Sequence, residues 1–196
     1  MAFATDGDDR AGRAQPMQHP DLARVASEMR AEWRAEQEAA TADAVAQWRH
    51  ARTLADWLRD RMHAGDLVGV CVLGQRFTGR VEEVGADLVA LRGSRGRVEV
   101  HVADTVPVAF ELVEHATSGG TRGGERRGFR DALVARDGQE DLAIAALQLP
   151  AGIRGTLLVG RDFVTVVAAS GAETVVPIAQ VAWVAPAGRD GSPAGL

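Results

Sequence analysis

From Asp21 to Ala64 the chain contains neither Gly nor Pro, and beyond Gly65 its apolar residues stop recurring every three or four positions and begin to alternate. A period near 3.6 lines one face of a helix and a period of 2 lines one face of a strand, so this switch divides the chain into a helical region and a β region. Good helix formers (Ala, Arg, Glu, Gln, Leu, Met) fill the first region. Pro20-Asp21 suits its start, with the acidic side chain near the positive end of the helix dipole. Leu22, Val25, Met29 and Trp33 follow at spacings of three, four and four, then Val45 and Trp48, then Leu54, Trp57, Leu58 and Met62. One helix through residue 63 would be about 65 Å long at 1.5 Å per residue. A break near Arg52-Thr53 is therefore expected, with an unbroken rod as the alternative. Trp33, Val45 and Trp48 form a candidate interface for a protein partner or a second copy of the chain. The heptad pattern is short, so a coiled coil is not demanded.

Past Gly65 the alternation predicts five strands, at Leu67–Leu73, Phe77–Val84, Leu88–Arg92, Arg97–Val102 and Thr105–Val113, with Gly-containing turns between them. Five short strands joined by tight turns point to a small barrel. The pattern then restarts. Residues 54–73 align without a gap on residues 129–148, placing Asp56, Leu58, Asp66 and Leu67 on Asp131, Leu133, Asp141 and Leu142. Further on, Gly79 meets Gly155 and Val84-Gly85 meets Val159-Gly160. Such ordered matches read as an internal repeat. They predict a second helix at 127–137 and strands near 140–148, 152–159, 162–168, 173–178 and 181–185. The second set is apolar on both faces, which implies burial on both faces.

The expected organisation is thus a disordered arm at 1–19, a long N-terminal helix at 20–51 and a first helix-plus-barrel unit at 52–114. A Gly/Arg linker at 115–127, a second helix-plus-barrel unit at 128–186 and a tail at 187–196 complete it. The fold class is α+β, mainly β. Each unit, through Gly79, Val81, Val84 and Leu88 and again Gly155, Leu157, Val159 and Phe163, resembles the Sm-like (SH3-like) small barrel. The resemblance implies tandem five-stranded barrels. It does not bring RNA reading with it. Gly85 and Gly160 stand where Sm proteins usually have Asp, Ala90 and Thr165 stand where they have the base-reading Asn, and the Arg-Gly or Lys-Gly pair is replaced by Val102-Ala103 and Ile178-Ala179.

Charge bears on the candidate sites. All 22 basic residues are Arg, a mark of high-GC bacterial coding, and the net charge of −5 argues against coating nucleic acid through bulk electrostatics. A local basic strip is still open to the chain. Arg76 and Arg80 flank one hairpin, Arg92, Arg95 and Arg97 crowd the next turn, and Arg126 and Arg127 lie in the linker. Guanidinium forks suit phosphate, so these seven are the candidate nucleic-acid contacts. The competing reading is that Glu99, Asp104, Glu111 and Glu125 neutralise them. The five histidines lie in separate elements, so no metal or cofactor is expected. Cys71, the one cysteine, falls among strand apolars and reads as a buried thiol. No transmembrane-length apolar run occurs, and MAFATDGDDR lacks the basic start and apolar stretch of a signal peptide, so a cytoplasmic location is expected. The resulting expectation is a non-enzymatic interaction protein that associates through its helix. The alternative is an RNA- or DNA-binding regulator acting through the Arg-rich loops.

Overall fold

The computed structural model describes residues 20–94, 96–117, 119–120 and 127–187. The chain divides into two units, one ending at Arg52 and the other beginning at Thr53. In the first, α1 (Pro20–Ala51) is a single helix of 32 residues, and every residue from Asp21 to Ala51 is exposed. Among the described residues no helix is long and apolar enough to cross a membrane.

The second unit opens with α2 (Leu54–Ala64), and its start explains why the helical region is not one rod. Thr53 adopts an extended conformation, its hydroxyl accepts from the Asp56 amide at 3.2 Å, and the Asp56 carboxylate accepts from the Thr53 amide at 3.0 Å. That reciprocal capping box begins a new helix where α1 has just ended. Gly65 ends it at φ +78°, a left-handed conformation that glycine adopts without penalty.

Ten strands follow, with one more short helix between the first five and the rest. They are β1 (Leu67–Val72), β2 (Gln75–Val84), β3 (Leu88–Gly93), β4 (Gly96–His101) and β5 (Val108–Glu114), then α3 (Phe129–Val134). After α3 come β6 (Leu142–Ala146), β7 (Leu149–Val159), β8 (Phe163–Val167), β9 (Glu173–Pro177) and β10 (Val181–Pro186). The strands form one open sheet in the order β5-β1-β2-β3-β4-β10-β6-β7-β8-β9, every pairing antiparallel.

This overturns the expectation of two repeated helix-plus-barrel units and of tandem Sm-like or SH3-like barrels. The strands lie near their expected places, but neither half closes on itself. The edge of β4 is occupied by β10, through Trp183 opposite Val100 and Val184 opposite Glu99. That pairing merges the two halves into one sheet whose free edges are β5 and β9. Alternation specifies which residues of a strand face inward; it does not specify which neighbour takes each edge. The second helix is also shorter than expected, at six residues.

Two cores lie along the sheet, and β6 and β10 contribute to both. Ala143, Ala145, Trp183 and Ala185 belong to the first, with Leu58 and Met62 of α2, Val70, Phe77, Val81, Leu91 and Val100. Leu142, Ile144, Val181 and Val184 belong to the second, with Phe129 and Leu133 of α3, Leu157 and Val164. The pairing of β10 with β6 slips between Val181 and Trp183, so Ala182 and Trp183 both enter the first core although adjacent in sequence. Trp183 is fully buried, with its ring edge-on to Phe77 at 5.1 Å. The alanines of β6 leave the volume that this indole fills.

Truncating Trp183 removes the largest side chain shared between the halves. Trp183→Ala is expected to cost about 3–5 kcal/mol in urea unfolding. Trp183→Phe is expected to cost distinctly less, because the buried Nε1 has no hydrogen-bond partner among the described residues and its loss removes an unmet donor.

Candidate interaction surfaces

The arginines of the β2-β3-β4 turns are brought together by strand register. Arg80 lies opposite Arg92, and Arg92 lies opposite Arg97, so the three form a row across β2, β3 and β4. Directly opposed residues share a face, and a bare row of this kind would repel itself. Carboxylates are interleaved with it. Arg92 Nε donates to Glu82 at 2.8 Å, and Arg97 Nε donates to Glu99 at 2.9 Å while its other nitrogens reach Glu82 and Glu83. From the segment before α3, Arg127 adds a bidentate contact to Glu83 at 3.1 and 2.8 Å. From the turn after α3, Arg136 Nε donates to Glu99 at 2.6 Å. Glu83 and Glu99 are buried, so desolvated carboxylates are matched by several guanidinium donors.

Gly85 shows how closely that returning segment crosses the first half. A Cβ at this position would lie 2.0 Å from the Arg127 carbonyl oxygen. Only glycine admits the crossing, which accounts for the departure from the Asp that the barrel resemblance implied. Nearby, Asp87 accepts from the Phe129 amide at 2.7 Å, and His101 stacks on the Phe129 ring with centroids 4.5 Å apart. The Nδ1 of His101 lies 2.9 Å from the Val181 carbonyl oxygen of β10. These contacts tie β4 to α3 and β10.

The remaining sequence candidates are scattered. Arg76 pairs with Glu111 across the end of β1, and Arg80 is exposed. Arg95 and Arg126 lie outside the described residues. Of the four carboxylates expected to neutralise the arginines, Glu99 and Glu111 do so; Glu125 also lies outside the described residues. Phe77, the one aromatic available near these loops for stacking on a base, is buried against Trp183. Cys71 is exposed, contrary to its reading as a buried thiol, because it falls on the outward face of β1 opposite Arg76 and Ala109. Among the described residues no group of three or more His, Cys, Asp or Glu is placed to hold a metal ion.

In the sequence Glu82, Glu83 and Asp87 read as solvated charges at a turn, and nothing marks Arg136. The partners lie 10 to 44 positions away, and no local pattern signals such pairings.

The second candidate surface is α1. Leu22, Met29, Trp33 and Trp48 are 68%, 63%, 61% and 58% exposed, and Val45 is 41% exposed. Small side chains at Thr41, Ala42 and Ala46 leave a shallow depression beside Val45. Arg52 lies over the Trp48 ring at 4.4 Å, so one face of that indole is covered by a cation.

Comparison with family models, with curated proteins and with solved structures gave no match.

The arginine–glutamate network makes folding acid-sensitive. Glu83 is held below its ordinary value of 4.5, first by the Arg127 hydrogen bond, with Arg97 adding to the effect and burial opposing it. Asp66, which accepts from the Ala116 amide at 2.8 Å and from Arg61 at 2.8 Å, is likewise held below its ordinary value, chiefly by the Ala116 bond. A lowered carboxylate pKa contributes stability that is present above the unfolded-state value and lost as pH falls through the folded one. The urea midpoint is therefore expected to hold from neutral pH down to about pH 5 and to drop as pH falls further, below about 4, and Glu83→Gln to be less stable than wild type at pH 7 with a flatter acid limb.

Proposed function

We propose that the protein is a non-enzymatic, cytoplasmic association protein whose α1 helix recruits a protein partner while the sheet unit serves as its body. The observation that carries this reading is the exposure of Leu22, Met29, Trp33 and Trp48 along a helix that forms a unit by itself. A helix owes most of its stability to packing of its apolar face, and scattered surface apolars do not normally include two tryptophans on one helix. Tryptophan is also the residue most enriched where binding energy concentrates.

The arginines support the same reading. Arg76, Arg92, Arg97 and Arg127 each face a carboxylate, and Arg127 binds the first half to the segment that leads into the second. That is a structural use of guanidinium groups, and it lowers the charge they would offer to a phosphate backbone.

A photo-crosslinking residue in place of Trp33 or Trp48, introduced in cells expressing the full chain, tests this. Both positions are expected to give covalent adducts of protein mass, and Ala35, on the side of the helix away from Trp33 and Trp48, to give few or none. Adducts to RNA or DNA from the same residue placed at Arg80, with none to protein from α1, would reverse the reading.

A further inference from the structure

Four of the six larger apolar residues of α1, Leu22, Met29, Trp33 and Trp48, fall in rows of eleven-residue spacing, with Val25 and Val45 on the borders of those rows. Leu22, Trp33 and Ala44 are eleven apart, as are Ala26, Gln37 and Trp48, and Met29, Ala40 and Ala51. A seven-residue register from Leu22 instead passes through Met29 to Glu36, Asp43 and His50, which loads the seam with charge. This is why the heptad pattern is short. Eleven residues span three turns at 3.67 residues per turn, so a seam of this period runs nearly straight with a slight right-handed twist.

The two borders of the seam carry opposite charge. Asp21, Glu32, Glu36 and Asp43 run along one side, and Arg30 and Arg34 lie on the other. The arginine stems lie along their own helix, with Nε donating to the Ala26 and Arg30 carbonyls at 2.9 and 3.2 Å. When two identical helices pair in parallel, the left border of one meets the right border of the other. In an antiparallel pair like borders meet. Parallel pairing here sets Arg30 and Arg34 against Glu32 and Glu36 of the second copy, while antiparallel pairing sets acid on acid and base on base.

We propose that α1 pairs with the α1 of a second copy, parallel and in register, through this eleven-residue seam. The inference rests on the reading of α1 as the association element and names its occupant. The chain carries both halves of the charge pattern, so the face is complementary to itself. A different partner would have to supply the matching acidic and basic borders independently.

Sedimentation equilibrium and disulfide trapping of the full chain test the pairing. Wild type is expected to be dimeric, and Arg30→Glu with Arg34→Glu to raise the dissociation constant about tenfold or more at low salt, with a smaller effect at high salt. In a Cys71→Ser background, Met29→Cys is expected to trap a covalent dimer on mild oxidation, because a parallel, in-register seam brings each residue to its own copy. Ala31→Cys, on the opposite side of the helix, is expected to stay reduced. Trapping of Leu22→Cys with Trp48→Cys, in place of Met29 with itself, would overturn the parallel pairing and leave α1 as the association element. A wild-type chain that is monomeric at its highest soluble concentration would overturn self-pairing, while the crosslinking of Trp33 and Trp48 in cells decides separately whether α1 has another partner. A dimer that persists through Trp33→Arg and Trp48→Arg, with no trapping in α1, would overturn both.

Discussion

The pairing of β4 with β10 is the interaction on which the sheet unit depends. It spans only two opposed residue pairs, Trp183 with Val100 and Val184 with Glu99, yet without it the ten strands would be two separate sets. Side chains reinforce what the short ladder begins. Trp183 drives into the first core from the last strand, and Glu99, at the junction itself, is gripped by Arg97 from its own strand and Arg136 from beyond α3. His101 adds a contact to the Val181 carbonyl of β10. A short junction is thus stabilised by an aromatic on one face and a desolvated ion cluster near the other.

That cluster explains an acidic protein with conspicuous arginine clusters. Guanidinium has five donors in a fixed fork, so one arginine such as Arg97 satisfies three carboxylates from two strands. Buried carboxylates are costly to leave unmet, and here each has at least two partners, which turns a liability into a restriction on how the halves dock. Clustering of arginine in the sequence was legible. That Glu82, Glu83 and Glu99 stand between those arginines was legible only in part, because facing positions are created by strand register and by the path of residues 127–139 across the first half.

The free edges of the sheet contrast with its centre. β5 bears Glu111 and Glu114, and β9 is five residues long with Glu173 at its start and Pro177 at its end. Charge, shortness and proline are features that discourage further strand addition. The proposed association through the helix is compatible with edges so guarded: Leu22, Met29, Trp33 and Trp48 of α1 are each more than half exposed, and the period and border charges of that helix are linear features of the sequence.

By itself the sequence determined the local structure: the Gly- and Pro-free helical stretch, the new helix capped by Thr53 and Asp56, the alternation of the strands, and the doubly apolar character of β6 and β10. These depend on neighbours within a turn or a strand, where period and capping chemistry act directly. Only the tertiary structure decided that the strands form one open sheet, that Trp183 belongs to the core of the first half, that Gly85 makes way for the Arg127 backbone, and that Glu83 and Glu99 are buried. Each of those outcomes is a choice of partner across a long stretch of chain. A strand with two good edges does not encode which distant edge it will meet; that choice falls to the packing and charge matching of the whole assembly.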